Sequence, residues 1–154
     1  MSEKLTSTSV TESAVINAPI SAIWRLIQLK NFEKFYIGLT STEILPSDDE
    51  GKDTIKWTFA DGTVLHVKEE EFSTVKHIIS FHILKCEPWG LPYTSVLSTI
   101  RLFPITSRHA AGGTFVEWSG HYSADASAEV VQDGHVKRRE ALADLAKVAE
   151  GGSS

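Results

Sequence analysis

The sequence predicts a single α+β domain in which an antiparallel β-sheet packs against one long C-terminal helix. Three observations predict it: helical segments lie near both ends of the chain, alternating β-forming runs fill the middle, and 154 residues suit one domain. Consecutive antiparallel strands joined by short turns form a twisted, curved meander. A helix with one apolar stripe can cover the concave side, and the space left between them suits a small amphipathic ligand.

The chain is predicted to open with a β-strand over Ser9–Asn17, followed by two short helices. Pro19 has the fixed backbone angle that suits a first helical turn. The apolar residues after it recur with helical spacing and form one stripe: Ile20, Ile23, Trp24 and Ile27. This spacing predicts a helix that ends near Lys30, and a second short turn holds Phe32 and Phe35.

Six β-rich runs follow, separated by turn residues. They are Ile44–Pro46, Thr54–Phe59, Val64–Phe72, His77–Cys86, Tyr93–Pro104 and Thr114–Ser123. Asp61-Gly62 is a hairpin signal, because glycine tolerates the positive φ that such turns require. The acidic segment Ser47–Gly51 is predicted to be a turn. Glu87–Pro92 contains two prolines and a glycine, so it cannot be a regular strand.

The last helix is predicted from about Ala126 to Glu150, with Gly134 marking either its start or a kink. Its apolar face is formed by Ala141, Leu142, Leu145, Val148 and Ala149. Residues 1–150 are therefore predicted to form one domain, and residues 151–154, two glycines and two serines, a flexible tail.

Charge and cysteine content exclude several classes of partner. Lys and Arg number 15 and Asp and Glu 20, a net charge of −5 that disfavours nucleic-acid and anionic-membrane surfaces. A lone cysteine, Cys86, favours a reducing compartment, and a cytoplasmic protein is expected. No glycine-rich phosphate loop joins a strand to a helix, and no histidine pair has metal-ligand spacing, so neither cofactor nor metal is expected. The expected protein is a monomer or weak homodimer.

Several segments resemble the START/Bet v 1 superfamily, also called SRPBCC proteins. Ile16–Trp24, with Ala-Pro leading into a helix, resembles the opening of its members. Lys76–Phe81, the later Tyr93–Val96 and the terminal Leu142–Glu150 resemble plant abscisic-acid receptors. Tyr93-Thr94 and Glu117–Ser119 resemble lachrymatory factor synthase, an isomerising enzyme. The resemblance covers Val10 to Glu150 and points to the polyketide cyclase/dehydratase-like branch.

This resemblance implies a helix-grip fold, in which a seven-stranded antiparallel sheet wraps around the C-terminal helix and encloses a cavity for apolar or amphipathic molecules. Superfamily members include hormone receptors, lipid carriers, storage proteins and polyketide cyclases, so fold alone leaves function open. Carried over by position, Lys34 matches the receptors' carboxylate-binding lysine. The receptors' polar and apolar pocket positions correspond to Tyr93, Ser95, Glu117, Phe81 and Ile83. The receptors carry two characteristic loop sequences, called the gate and the latch. The gate position is occupied here by the different sequence Phe59–Thr63, and the latch position by Cys86–Pro92.

Tyr93 and Glu117 are the candidate catalytic residues. A buried tyrosine can donate a proton or a hydrogen bond, and a glutamate inside an apolar cavity has a raised pKa that suits proton transfer. The alternative for Tyr93 is core packing, and that for Glu117 is a solvent-facing position or an ion pair with Arg101. Arg101 alternates with Tyr93, so an inward Tyr93 implies an inward Arg101.

The remaining candidates would bind ligand from the cavity wall or mouth. They are Lys34, Trp57, Phe59, His66, Phe81, Ile83, Trp89, Ser95, Arg101, His121 and Ala141. Trp89, in the proline-rich loop, is a candidate lid residue, with an exposed surface patch as the alternative. Two main functions remain open, beside a third, an interaction module whose lid loops dock a partner protein, which draws only on Trp89 and the receptor resemblance. One is a carrier or receptor for a small hydrophobic or amphipathic metabolite. The other is a cofactor-free enzyme catalysing cyclisation, dehydration or isomerisation in the same cavity.

Overall fold

A computed structural model describes residues 8–46 and 54–151 of the chain. Its seven strands are β1 (Ser9–Ile16), β2 (Leu39–Leu45), β3 (Thr54–Phe59), β4 (Val64–Ser73), β5 (Ile78–Glu87), β6 (Val96–Pro104) and β7 (Thr114–Tyr122). Its helices are α1 (Ile20–Leu26), a 3-10 helix (Leu29–Lys34) and α2 (Ala128–Gly151). The fold is the predicted α+β helix-grip arrangement.

All strand pairs are antiparallel, and the sheet order is β1-β7-β6-β5-β4-β3-β2. Strands β2 to β7 form a meander, because each is joined to the next by a turn or loop. The crossover from β1 to β2 carries α1 and the 3-10 helix, which places both short helices against the inner face of the sheet. Phe32 and Phe35 of this crossover are buried in the core.

Strand alternation assigns the inner face. In β7 the buried residues are Thr114, Val116, Trp118 and Gly120, and in β6 they include Val96, Ser98, Ile100 and Leu102. Successive side chains of a strand point to opposite faces, so the residues between these point away from α2. Helix α2 lies along the β1 side of this inner face, where Arg139 Nε donates to Glu12 Oε1 at 2.9 Å.

Several predicted boundaries differ from the structure. Tyr93 and Thr94 lie in a bend, Ser95 has no regular structure and β6 begins at Val96, because the proline-rich segment keeps these residues out of the ladder. Helix α1 ends at Leu26, and α2 continues to Gly151, the first residue of the predicted tail. The predicted turn at residues 47–51 and tail residues 152–154 lie outside the described residues. Within the described part of the chain, none of the helices has the length and apolar character needed to cross a membrane.

Candidate functional site: a buried arginine on α2

Arg138 is a buried cation on the apolar stripe of α2. It precedes Ala141 and Leu142 by three and four residues, so all three share one helical face. Only 7% of its surface is exposed, although arginine is almost never fully buried unless it is paired. The helix therefore carries a guanidinium into the space between itself and the sheet.

Neutral oxygens accept the hydrogen bonds of this guanidinium. Nη1 donates to the Tyr122 hydroxyl and to the Gly134 carbonyl, each at 3.0 Å, and Nη2 donates to Ser98 Oγ at 2.9 Å. The guanidinium carbon also lies 5.6 Å from the centre of the Tyr122 ring, a cation–π distance. These contacts fix the orientation of the side chain without neutralising its charge.

Two glycines make room for Arg138. A Cβ atom on Gly120 of β7 would lie 2.2 Å from Arg138 Nη2, and one on Gly134 of α2 would lie 2.4 Å from the Tyr122 hydroxyl oxygen and 3.0 Å from Arg138 Nη1. A glycine inside a strand or helix costs roughly 0.5–1 kcal/mol relative to alanine, because it loses more backbone entropy. Both positions therefore give up local stability at the point where the guanidinium packs.

The buried charge has no anionic partner among the described residues. The carboxylates that flank it on α2, Asp133 and Glu140, are exposed and form no ion pair with it. Arg138 Nε and Trp118 Nε1, both buried, have no hydrogen-bond acceptor within residues 8–46 and 54–151. Burying an uncompensated ion costs several kcal/mol, and each unmet buried donor costs about 1–3 kcal/mol more. The cluster is therefore energetically unfavourable as a purely structural element.

The three tyrosines of the chain lie within the electrostatic influence of this charge, and Tyr122 contacts it directly. Tyr93 packs edge-on against Tyr122, with ring centres 5.1 Å apart. Burial raises the pKa of Tyr93 well above its usual value, and the neighbouring Tyr122 adds to this, while Arg138 opposes it. Burial, with Glu140 and Asp144, raises the pKa of Tyr36 to about 12, again against the influence of Arg138. The hydroxyls of Tyr93 and Tyr36 therefore stay protonated at neutral pH and can donate hydrogen bonds.

Tyr93 reaches this cluster from the loop between β5 and β6, residues 88–95. The loop is held to the end of β7 because the amides of Thr94 and Ser95 donate to Ser123 Oγ at 3.1 and 3.0 Å. Asp125 accepts from Thr94 Oγ1 at 2.7 Å and from Ser123 Oγ. These are hydrogen bonds at exposed residues outside the sheet ladder, and segments held in this way open at a lower free-energy cost than core strands.

Next to the arginine cluster, the interior is filled by aromatic side chains. Phe32 stacks on Trp57 with ring centres 4.6 Å apart. It also packs edge-on against Phe81 and Trp118, with ring centres 6.4 and 5.7 Å apart. Trp57 Nε1 donates to the Leu29 carbonyl at 2.9 Å, which fixes its ring. An open hollow was expected between sheet and helix, but this central part of the described interior is occupied by rings.

A cleft of about 200 Å³ lies elsewhere, at the end of the sheet remote from the β3–β4 turn. Its lining residues are Gln28, Leu29, Lys30, Ile44, Ile55, Glu69 and Phe72. Trp24 lies beside it, with its ring centre 5.3 Å from that of Phe72. No residue of the sequence-predicted site lines this cleft.

Five predicted ligand-binding residues do face the interior. They are Trp57, Phe59, Phe81, Ile83 and Ala141, which belong to the core or pack against it. Phe59 contacts Tyr36 edge-on at 6.0 Å, so it extends the aromatic surface towards the tyrosines. Their predicted orientation agrees with the structure, and their role in binding stays a prediction.

Four other candidates lie on the outer face, contrary to expectation. Arg101 and Glu117 are opposite each other in the β6–β7 register, on the side away from α2. His66 points outward and its Nε2 lies 3.3 Å from Glu87 Oε1, and exposed His121 is 2.7 Å from Ser9 Oγ. The alternation from Tyr93 to Arg101 does not hold, because residues 93–95 are not strand. Glu117 is thus separated by the sheet from the interior cluster that Tyr93 joins.

The last three candidates are at the surface. Lys34 ends the 3-10 helix and is exposed. Trp89 is 80% exposed in the 88–95 loop, and Ser95 is exposed in the same loop. The receptor-like lysine position therefore carries a solvent-facing side chain, and the buried cation is Arg138 instead.

Sequence reasoning missed Arg138, Tyr122 and Ser98. Two signals were present: an arginine interrupts the apolar stripe of the last helix, and Gly120 interrupts the apolar alternation of the last strand. An isolated glycine in a strand marks close approach of another group. Together these signals indicate a large side chain packed against a gap in the sheet.

Comparisons with known proteins give one family match and several structural matches. The family model described as "Polyketide cyclase / dehydrase and lipid transport" matches residues 7–150. The protein XoxI from Bacillus cereus is 20% identical with a TM-score of 0.78, over 92% of this chain and 95% of that one. A protein from Nitrosospira multiformis is 22% identical with a TM-score of 0.74 over the same two shares. An uncharacterised protein from Bacillus thuringiensis is 21% identical with a TM-score of 0.75, over 91% and 97%. No curated protein matches.

Proposed function

The chain belongs to the polyketide cyclase/dehydrase and lipid-transport family of the START/Bet v 1 superfamily, and on this premise we propose that it binds a small amphipathic metabolite between its sheet and α2. The observation that carries the proposal is the buried Arg138 without an anionic partner among the described residues. A ligand oxygen beside Arg138 would satisfy both this cation and the indole N–H of Trp118. The protein then acts as a carrier or receptor for that metabolite.

The proposed walls of the binding site follow from the inner-face residues. Trp57, Phe59, Phe81, Ile83 and Ala141 offer an apolar surface next to the polar cluster. Ligand pockets in proteins combine such a surface with a few polar groups that fix orientation. The aromatic packing around Phe32 means that an apolar ligand body must displace or reorient some of these rings.

The proposed route of access is the 88–95 loop. Tyr93 of this loop covers Tyr122, which in turn contacts Arg138. Opening the loop removes one ring from the cluster and breaks hydrogen bonds at Ser123 and Asp125, while the sheet ladder stays intact. Loop opening of this kind commonly admits ligands to closed sites.

The alternative, an acid–base enzyme, depends on Tyr93 and Glu117 sharing proton transfers. A general acid and base must both reach the reacting group within hydrogen-bond distance, directly or through one water. Because Glu117 lies on the outer face and Tyr93 joins the interior cluster, this pair does not favour catalysis over binding.

Two measurements test the proposal. Native mass spectrometry of the purified protein should detect a retained small molecule. Titration of the ¹⁵N-labelled protein with decanoate, 2-naphthoate and their methyl esters should shift the amide signals of inner-face Ser98 and Gly120 in saturable, one-to-one fashion. Outer-face Arg101 and Glu117 serve as internal controls. If no molecule is retained and none of the four compounds shifts the inner-face signals, the proposed function is wrong.

A further inference from the structure

We infer that the ligand carries a carboxylate and that Arg138 and Trp118 bind it. This inference rests on the proposed function, since it names the chemical class of the molecule that the interior accepts. Three observations carry it: the charge of the cluster, the two donors without acceptors, and the two glycines that make room for the guanidinium.

The charge of the cluster selects a monoanion. Arg138 brings one positive charge into the space between α2 and the sheet, and its hydrogen-bond acceptors, Tyr122, Ser98 and Gly134, are all neutral. One carboxylate balances this charge. A phosphate monoester, with close to two negative charges at neutral pH, would leave an excess negative charge in the interior, and a neutral ester or alcohol would leave the cation uncompensated.

The geometry of the guanidinium also favours a carboxylate. Nε and Nη2 form one edge of the guanidinium plane, and a carboxylate accepts two parallel hydrogen bonds from such an edge. On this edge Nε has no acceptor within the described residues, and Nη2 has only the Ser98 hydroxyl. A carboxylate oxygen can satisfy Nε directly and join or replace Ser98 at Nη2.

Trp118 supplies a third donor on the same wall. Trp118 and Gly120 are successive inward-facing residues of β7, and the guanidinium packs against Gly120. The indole N–H of Trp118 is buried without an acceptor, whereas that of Trp57 donates to a carbonyl and Trp89 is exposed. A carboxylate at Arg138 would therefore offer a hydrogen-bond acceptor to the indole N–H of Trp118, which has none within the described residues.

The rest of the ligand is apolar. The surface that continues from Trp118 into the core consists of Phe32, Trp57 and Phe81, and no buried charge other than Arg138 occurs in the described core. Together with the cationic end, this surface fits a monocarboxylic acid that has an aliphatic or aromatic body.

The test compares matched acid and ester probes. We expect decanoate and 2-naphthoate to bind the protein at least tenfold more tightly than methyl decanoate and methyl 2-naphthoate in isothermal titration. In ¹⁵N spectra the Trp118 indole signal should move on addition of the acids, while the indole signal of Trp24, which packs against Phe72 beside the remote cleft, serves as the control. Because these measurements use the unaltered protein, they stand even where a variant does not fold.

A pair of adjacent arginines provides the variants. Arg138→Gln removes the buried charge and should reduce the preference for acid over ester to less than threefold. Arg139→Gln, at an exposed residue that pairs with Glu12, is the matched control and should retain the preference. 2-Naphthyl phosphate should bind more weakly than 2-naphthoate.

The outcomes separate the two proposals. If acids and esters bind alike in the unaltered protein, or 2-naphthyl phosphate binds as tightly as 2-naphthoate, the carboxylate inference is overturned and interior binding stands. The same holds if the acids bind tightly but leave the Trp118 indole unmoved and Arg138→Gln retains the preference. If neither acids nor esters bind and native mass spectrometry finds no retained molecule, the proposed function itself fails.

Discussion

Replacing Gly134 by alanine sets two effects of known size against each other. In a helix interior, alanine is about 1 kcal/mol more favourable than glycine, so propensity alone predicts a more stable protein. The added Cβ, however, would lie 2.4 Å from the Tyr122 hydroxyl oxygen and 3.0 Å from Arg138 Nη1. Tyr122 is backed by Tyr93, so it cannot move away without disturbing the 88–95 loop.

The steric effect should be the larger one. Overpacking of this kind costs about 1–3 kcal/mol, and losing the hydrogen bond from Arg138 to Tyr122 costs about 1.5–3 kcal/mol more. After the gain in propensity, Gly134→Ala should lower the free energy of unfolding by about 2 kcal/mol or more. For a domain of this size that corresponds to a Tm lower by about 4–8 °C.

Urea unfolding followed by far-UV circular dichroism measures this change, with the m-value checking that two-state behaviour is kept. Gly151→Ala is the matched control, because that helical glycine has nothing within 4 Å of an added Cβ. In a Tyr122→Phe background the cost of Gly134→Ala should shrink, since the closest atom is gone. A Gly134→Ala protein that is more stable by about 1 kcal/mol would refute the close packing around Arg138.

Two further predictions concern carboxylates that connect parts of the fold: Glu12 links β1 to α2, and Asp125 links the 88–95 loop to the segment after β7. Glu12→Gln should lower stability by about 1 kcal/mol at pH 7, because Glu12 accepts a charged hydrogen bond from Arg139. Burial raises the pKa of Glu12, but hydrogen bonds from α2 more than offset this and leave it below 4.5. The difference from the unaltered protein in urea unfolding should therefore disappear as the pH falls through that lowered pKa, and a pH-independent difference would contradict the ion pair. Hydrogen bonds from Ser123 and Thr94 lower the pKa of Asp125 from 3.8 to about 2, so the loop anchor should persist above pH 3.8 and weaken as the pH falls towards 2. In a ¹³C titration of the carboxyl group, Thr94→Val should raise the pH midpoint of Asp125. A midpoint near 3.8 in the protein without substitutions would exclude the hydrogen bonds from Ser123 and Thr94.

The sequence predicts the sheet well where periodicity and turn chemistry agree. Strand β3 has the predicted bounds, Thr54–Phe59, because strict alternation ends at the Asp61-Gly62 turn, where Gly62 has a φ of 92°. The meander of β2 to β7 follows from such local signals, whereas the pairing of β1 with β7 joins distant parts of the chain. The predicted start of β6 at Tyr93 is wrong. Tyr93, Thr94 and Ser95 favour β-structure, but they belong to the proline-rich loop and the strand begins at Val96.

The faces of β7 illustrate a different limit. Alternation places Phe115, Glu117 and Ser119 on one face, as in the structure, but the sequence does not say which face is inner, because aromatic residues occur on both. The outward Phe115 packs against Phe103, 5.9 Å away on the outer surface, while the inward Trp118 enters the core. When a strand has apolar residues on both faces, its own sequence does not show which face points to the core. That assignment requires the neighbouring strands and helix.

Arg138 could be located by combining elements, although no single element reveals it. A leucine at 138 with alanines at 120 and 134 would continue the apolar stripe, remove two backbone-entropy penalties and leave no uncompensated cation in the interior. Such a core would be the more stable one, and the chain departs from it at three positions: Arg138, and the two glycines at 120 and 134 that both lie against its guanidinium. Stability is given up in this way where a charge is needed in the interior, and an unpaired interior charge serves to bind a charge of opposite sign. The same three departures therefore argue for a ligand anion more strongly than the arginine does alone.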